Sequence, residues 1–138
     1  MFDQSDLDNA ALCVWKEARG EGIAGMRAVA HVIFNRIGCV GFPHTLHEVI
    51  YQRNAFTSMS VSSDPEFNLE PGAGDQSNDY AKRIVAAVAA KADADPTFGA
   101  HYYANLKNSS SGWFVRNVVQ NPVAHPHTVK IGSQDFYV

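Results

Sequence analysis

"LCVWKEARGEGIAGMRAVAHVIFNR", residues 12–36, decides how this chain folds. Its first part closes an amphipathic helix, its glycines break that helix, and its last part is apolar on almost every side. The first helix is expected to begin at "SDLD", where Ser5 and Asp8 have the spacing of a capping box. Leu7, Ala10, Ala11, Val14 and Ala18 then recur at helical spacing and form one core-facing stripe. At about 100° per residue, Glu17 lies roughly 80° from the centre of that stripe, on its border, while Lys16 points the opposite way and is expected in solvent. "GEGIAG" supplies three glycines in six residues and ends the helix. "MRAVAHVIFNR" carries Met26, Val29, Ala30, Ile33 and Ile37 on one side with Val32 and Phe34 beside them, which predicts the central buried helix.

Outward from this pair the chain reads coarsely but continuously. "FPHTLHEVIYQ" (42–52) opens a short helix at Thr45, with Glu48 completing a capping pattern. Residues 53–77 are rich in Ser, Gly, Pro, Asn and Asp, show no period, and predict a long loop of the kind that carries function. "NDYAKRIVAAVAAKADA" (78–94) predicts a helix with Tyr80, Ile84, Ala87 and Val88 inward. "AHYYANLKNSSSGWF" (100–114) predicts a strand or extended segment running into a loop, and "HTVKIGSQDFYV" (127–138) a β-hairpin turning at Gly132-Ser133. The fold class expected is mainly α, in one domain over 1–138 with no separate second module.

Composition narrows the function. At 138 residues the chain suits one core, and 46% hydrophobic with 18% charged residues is a globular balance. A formal net charge of −3 argues against nucleic acid as a partner, because no cationic excess exists to neutralise phosphates. No apolar run approaches the roughly 20 residues that span a bilayer. "MFDQSDLDNA" lacks the pattern of a secretory signal, so the expectation is a protein made and folded in the cytoplasm. Cys13 and Cys39 are read as free thiols.

The chemistry-bearing candidates are few. A helical glutamate is ordinarily a solvated surface residue. Glu17 differs by its border position, its apolar neighbours Val14 and Trp15, and the adjacent turn, because an apolar setting raises a carboxyl pKa and keeps a general acid protonated near neutrality. Glu21, between Gly20 and Gly22, is either a second carboxylate or a residue that stabilises the turn. Tyr102, Tyr103, Asn105 and Trp113 combine aromatic faces with amide donors, as a sugar groove requires, against the competing reading of a filled core. His44 and His47, and His125 and His127, are the only close histidine pairs; neither matches H-E-x-x-H, so no metal and no other cofactor is expected. His31 is expected as a hydrogen-bonded core histidine, and no G-x-S-x-G turn offers a serine nucleophile.

Taken together, "WKEARGEGIAGMRAVAHVIFNR" (15–36) resembles the opening signature of the SleB-type cell-wall hydrolases: an acidic "EARGE" turn, then a small-apolar helix ending in Asn-Arg. The resemblance continues in order through "FPHTLHEVIYQ", "AFTSMS" (55–60) and "AHYYANLKNSSSGWF", and ends in "VKIGSQDFY" (129–137). It implies a lysozyme-like fold similar to that of lytic transglycosylases. It also implies a glycosidase that cuts peptidoglycan between N-acetylmuramic acid and N-acetylglucosamine. The position matching the family's catalytic glutamate is Glu17. Phe56, Ser58, Tyr102, Tyr103, Asn105 and Trp113 are the implied substrate-binding residues, with "YYAN" similar to the tyrosine-asparagine element of the transglycosylase cleft. The chain departs from the pattern at Leu106, where relatives often have proline, and at Gln134, where they often have histidine.

Two further expectations follow. Without an export signal, the chain resembles a phage endolysin that waits for a separate membrane-permeabilising protein and then acts on the wall. Hydrolases use a second carboxylate, which Glu21, Asp64, Glu66, Glu70 or Asp75 could supply, whereas transglycosylases use the sugar's own C6 hydroxyl and a single glutamate. The single-glutamate reading is preferred. Its rivals are a non-catalytic peptidoglycan-binding module and, less favoured by the histidine spacing, a zinc amidase.

Overall fold

A computed structural model describes residues 2–107 and 111–138. Residues 108–110, part of the aromatic and serine stretch, lie outside the described residues.

Helix α1 spans Gln4–Ala18 and begins one residue before the expected Ser5. Asp3, not Ser5, is its N-cap: the Asp3 side chain accepts from the Asp6 N–H at 2.8 Å and Asp6 Oδ2 accepts from the Asp3 N–H at 3.3 Å. The same box chemistry operates two residues earlier, at Asp3 and Asp6 in place of Ser5 and Asp8, because Asp caps as well as Ser does. Ala10, Ala11, Val14 and Ala18 are buried as expected, whereas Leu7 only packs against the edge of the core.

The glycine break is shorter than it reads. A single 3-10 turn, Arg19–Glu21, separates α1 from α2, Gly22–Arg36. Two glycines explain the economy. Gly22 has φ +74°, a left-handed conformation that glycine adopts without penalty. At Gly25 a Cβ would sit 2.3 Å from that of Glu21, so only glycine lets the turn fold back on the helix. Helix α2 is the central helix, with Met26, Val29, Ala30, Val32 and Ile33 buried. Ile37, expected within it, is its half-exposed C-cap.

Thr45 caps α3, Leu46–Ile50, accepting from the Glu48 N–H and donating to its carboxylate at 2.8 Å. The long loop contains one turn of helix, α4 at Thr57–Ser60. Helix α5, Gln76–Ala89, is capped by Asp75 and buries Ala81, Val85 and Val88, a stripe rotated slightly from the expected one, with Tyr80 and Ile84 at its margin. It packs against both α1 and α2. After α6, Gly112–Phe114, the helix continues as a π-turn at Val115–Val119.

The hairpin forms as expected: β2, His127–Ile131, and β3, Gln134–Tyr137, are joined by Gly132-Ser133. It is part of a larger unit. Strand β1, Tyr102–Ala104, pairs antiparallel with β3 in the order β1-β3-β2, setting Tyr103 opposite Phe136. Phe136 and Tyr103 also stack, with ring centroids 5.7 Å apart, and this carries the sheet onto the Ala28–Val32 face of α2. The site's second wall is built from this contact.

Candidate functional site

Glu17 lies in the last turn of α1, half-buried, and its carboxylate is held from two sides. Ser58 Oγ donates to one oxygen at 2.6 Å and the Tyr103 hydroxyl to the other at 3.0 Å. Ser58 comes from α4 and Tyr103 from β1, so two segments distant in sequence close on the end of one helix. Burial pushes the Glu17 carboxyl above its ordinary range, more strongly than the two hydroxyl bonds and the Arg36 charge pull it down; the Asp64 charge adds to the rise. Burial, and then the Glu17 charge, drive the Tyr103 phenol well above its own ordinary value, so it stays a donor. Cys13, one turn back and fully buried, is likewise pushed well above the thiol range by burial and remains a free, protonated thiol. Cys39, also free, is half-buried.

Ser58 reaches Glu17 because the long loop is tied to α1. Lys16, expected in solvent, is 8% exposed. Its Nζ donates to the Ser58 carbonyl at 3.3 Å and the Phe67 carbonyl at 2.8 Å, and lies 5.8 Å from the Phe67 ring centroid. A buried ammonium needs acceptors, and the returning loop provides them. Arg19 makes a second tie, 2.5 Å from the Glu66 carboxylate, with its guanidinium 4.0 Å from the Trp15 ring. Far more of the circumference of α1 is therefore covered than its apolar stripe implies.

A cleft of about 780 Å³ opens beside this carboxylate. Tyr102, Tyr103, Trp113, Phe114 and Phe42 line it, together with Arg36 and the Gln52–Ala55 turn. Glu17 is not among the lining residues. Tyr103 joins the two, since its side chain lines the cleft and its hydroxyl is on Glu17. Trp113 is 56% exposed, which fits a binding surface and not a core. The remaining expected contacts divide. Ser58, 2% exposed, touches Glu17 and does not line the cleft. Phe56, expected to contact substrate, is instead a core residue at 1% exposure beneath the Arg36 guanidinium. A phenylalanine in a loop reads as available, but here it anchors the loop. Asn105 is half-buried just past β1, accepts from the Lys107 N–H at 3.2 Å, and is not among the lining residues.

The candidates for a second carboxylate are engaged elsewhere, except one. Glu21 accepts a hydrogen bond from the Ser133 hydroxyl in the hairpin turn, the turn-stabilising alternative. Asp64 accepts from Thr57 Oγ1 at 2.6 Å and from the Glu66 N–H at 2.8 Å, bonds that hold its carboxyl below the usual range. Glu66 pairs with Arg19, and Asp75 caps α5. Glu70 is exposed.

The histidines are dispersed. His31 is buried with Nε2 2.7 Å from Asp93, a core histidine as expected. His125 contacts the Val138 carbonyl, and His127 lies 2.9 Å from Asp135. Among the described residues no three His, Cys, Asp or Glu side chains are grouped to hold a metal.

The reading from sequence missed Arg36, Phe42 and the Gln52–Ala55 turn as cleft residues. Arg36 ends a helix read as wholly buried, and the cleft forms only when the turn after α3 meets the aromatics after β1. No local pattern marks that meeting.

Comparison with known proteins follows the same outline. Residues 20–137 match the family model described as Cell Wall Hydrolase. A spore cortex-lytic enzyme of Oceanobacillus iheyensis is 38% identical over 112 residues, covering 81% of this chain and 37% of the relative. One from Bacillus cereus is 37% identical over 135 residues, covering 98% and 45%. The chain thus spans less than half the length of these curated relatives. The catalytic domain of the germination-specific lytic transglycosylase SleB from Bacillus anthracis superposes with a TM-score of 0.73 at 33% identity, covering 99% of this chain and 97% of that one. The Bacillus cereus SleB catalytic domain gives the same score and identity, covering 100% and 93%. The family model begins at Gly20, just past Glu17, whereas both structural matches extend over nearly the whole chain.

Proposed function

This chain belongs to the cell wall hydrolase family, and from that premise we propose that it cleaves peptidoglycan glycan strands between N-acetylmuramic acid and N-acetylglucosamine, with Glu17 as the proton donor. One observation carries the reading. A half-buried carboxyl group, bonded among the described residues by two hydroxyl groups, sits beside an aromatic cleft of a size that suits an oligosaccharide.

The opposed influences on Glu17 suit an acid that later serves as a base. Burial retains the proton until the bridging oxygen takes it, and the C1–O bond then breaks toward an oxocarbenium-like centre. Ser58 and Tyr103, both donors, stabilise the carboxylate left behind. That carboxylate takes the proton from the muramyl C6 hydroxyl as O6 bonds to C1, giving a 1,6-anhydro end and restoring the acid. The second-carboxylate candidates with other bonds support this single-glutamate course over hydrolysis. The name of the Bacillus anthracis structure points the same way. Mass analysis of soluble fragments from purified walls tests it. Anhydro-muramyl ends are expected, made by the parent and not by Glu17→Gln. Reducing ends would replace the transglycosylase course with hydrolysis, and released peptides with intact glycan would favour an amidase.

The biological setting is a finer matter. The relatives named above are spore cortex enzymes, so lysis of a phage host, with release from the cytoplasm through a membrane-permeabilising partner, rests on the sequence expectation alone. Parallel digestion of spore cortex and of vegetative walls separates the two settings by rate.

A further inference from the structure

Arg36 and Arg53 line the cleft and no carboxylate does, in a chain that has 14 acidic residues against 11 basic ones. Arg36 is 8% exposed. Its Nε donates to the His101 carbonyl at 2.8 Å, and its guanidinium lies among the rings of Phe42, Phe56 and Tyr102 at 5.0–5.8 Å. Neither Nη nitrogen has a protein acceptor among the described residues, and no carboxylate lies within ion-pair distance. Nor is either nitrogen among the polar atoms enclosed without a partner. The residue is therefore largely buried, yet its fork has no acceptor among the described residues and is not sealed from its surroundings, and Arg36 lines the cleft. A charge so placed is costly unless something pairs with it.

Arg53 contributes from the opposite kind of setting. It is exposed and has no hydrogen bond or ion pair among the described residues. A tight turn presents it, closed by the Ala55 N–H on the Gln52 carbonyl at 3.1 Å, with Asn54 in the left-handed region at φ 64°. Asparagine tolerates that conformation, so the rim is a defined turn and not a loose tail.

We propose that Arg36 and Arg53 form a carboxylate-reading subsite beside the sugar-binding aromatics, so that the cleft prefers glycan strands with acidic substituents over neutral ones. The inference rests on the glycan reading above and names the chemical feature that the same cleft selects. Planar guanidinium groups suit carboxylates, which they bind through paired hydrogen bonds. In peptidoglycan the carboxylate comes either from the lactyl ether of the muramyl sugar or from its stem peptide, and both present the same group.

The test is binding to full-length Glu17→Gln, which leaves the probes uncut, read by calorimetry. Three four-sugar probes are compared: the muramyl oligomer with free lactyl groups, the same oligomer bearing stem peptides, and neutral chitotetraose. At least one acidic probe is expected to bind about tenfold or more tightly than chitotetraose, the margin for a charge-assisted hydrogen bond. That margin should shrink as salt rises from about 0.05 to about 0.5 M. Arg53→Gln should reduce it several-fold, by weakening the acidic probes more than chitotetraose, with the melting temperature unchanged. Preference for the free-lactyl probe alone assigns the carboxylate to the lactyl group, and preference for the peptide-bearing probe alone assigns it to the stem peptide. Equal binding of acidic and neutral probes, or a margin indifferent to Arg53→Gln, overturns the proposal while leaving the glycan cleft standing. Failure of all three sugars to bind overturns both.

Discussion

At the end of α1, the hydrogen bonds to Glu17 among the described residues come from two hydroxyl groups, whereas beside α2 Asp93 meets the nitrogens of Arg27 and His31. Arg27 Nε donates to Asp93 at 2.7 Å, and His31 Nε2 lies at the same distance from the same oxygen. Asp95, two residues on, is raised by its burial but pulled lower still by bonds from Thr97 and Asn35, with the Gly99 N–H adding to them. The Arg27 and His31 bonds, in that order, likewise hold Asp93 below the usual range. Both regions tie a loop to a helix. One does so with opposite charge and fixes the carboxylate in its ionised form. The other does so with neutral donors in a drier place, and its carboxyl is pushed the opposite way, toward holding its proton. The difference separates a structural carboxylate from one suited to chemistry, and it concerns partners more than burial alone.

Glu17→Gln makes the most severe break in that contrast. The shape remains and the proton is gone, so cleavage of purified walls should fall by roughly 10²–10⁴. The pH dependence follows from the raised pKa. The donor must be protonated, so the rate falls as pH rises through the elevated Glu17 value. Ser58→Ala removes a bond that lowers that value and should move the fall to higher pH. Stability follows the same sign. The folded state holds the Glu17 proton more tightly than the unfolded chain, a contribution fully present below the ordinary glutamate range and lost as pH rises through the elevated value. Glu17→Gln should therefore gain in thermal stability relative to the parent as pH is raised. A variant that still cleaves walls like the parent would remove Glu17 from the chemistry.

The next largest effect separates core from cleft among the aromatics. Phe56→Ala empties a fully buried site and should cost about 3–5 kcal/mol in denaturant unfolding. Trp113→Ala should cost far less stability, because more than half of the side chain is already exposed, yet weaken wall cleavage. Equal losses of stability would place Trp113 in the core after all.

Asp93→Asn examines the other half of the comparison. It leaves His31 and Arg27 short of a charged acceptor and should cost about 1–3 kcal/mol near neutral pH, with the activity of the folded protein retained. The Asp93 pKa is lowered in the fold, so its stabilisation is present above the ordinary aspartate range and lost as pH falls through the lowered value. The penalty should shrink in acid, measured by unfolding at two pH values. A constant penalty would mean that Asp93 acts through shape, not charge.

Legibility in the sequence followed range. The α1 stripe, the Thr45 cap, the apolar α2 and the Gly132-Ser133 turn are local patterns, and each formed close to where it was read. Glu17 on the border of its stripe was legible for the same reason. Lys16 was misread because a helical wheel counts only its own residues, and the loop that covers Lys16 returns from Ser58 and Phe67. Phe56 is misread for the same reason, since a loop phenylalanine acquires its place from partners far along the chain; "YYA" is legible as a strand, but its pairing with β3 is again long-range. The hydroxyl pair around Glu17, which gives the site its character, belongs wholly to that long-range class.

Glu21 offers the smallest effect and the sharpest contrast with its neighbour four residues away. Its carboxylate accepts from the Ser133 hydroxyl, and its Cβ packs on Gly25, so it ties the turn before α2 to the sheet. Glu21 is not among the described residues that line the aromatic cleft. Glu21→Gln keeps an acceptor oxygen and the packing, so the hairpin contact should survive. The expected loss is about 1 kcal/mol or less, with wall cleavage close to the parent once the protein is folded. Ser133→Ala does remove the bond and should cost somewhat more, and adding Glu21→Gln to it should change little, because the contact is already gone. A folded Glu21→Gln that no longer cuts walls, beside an active Glu17→Gln, would reverse the assignment of the two glutamates.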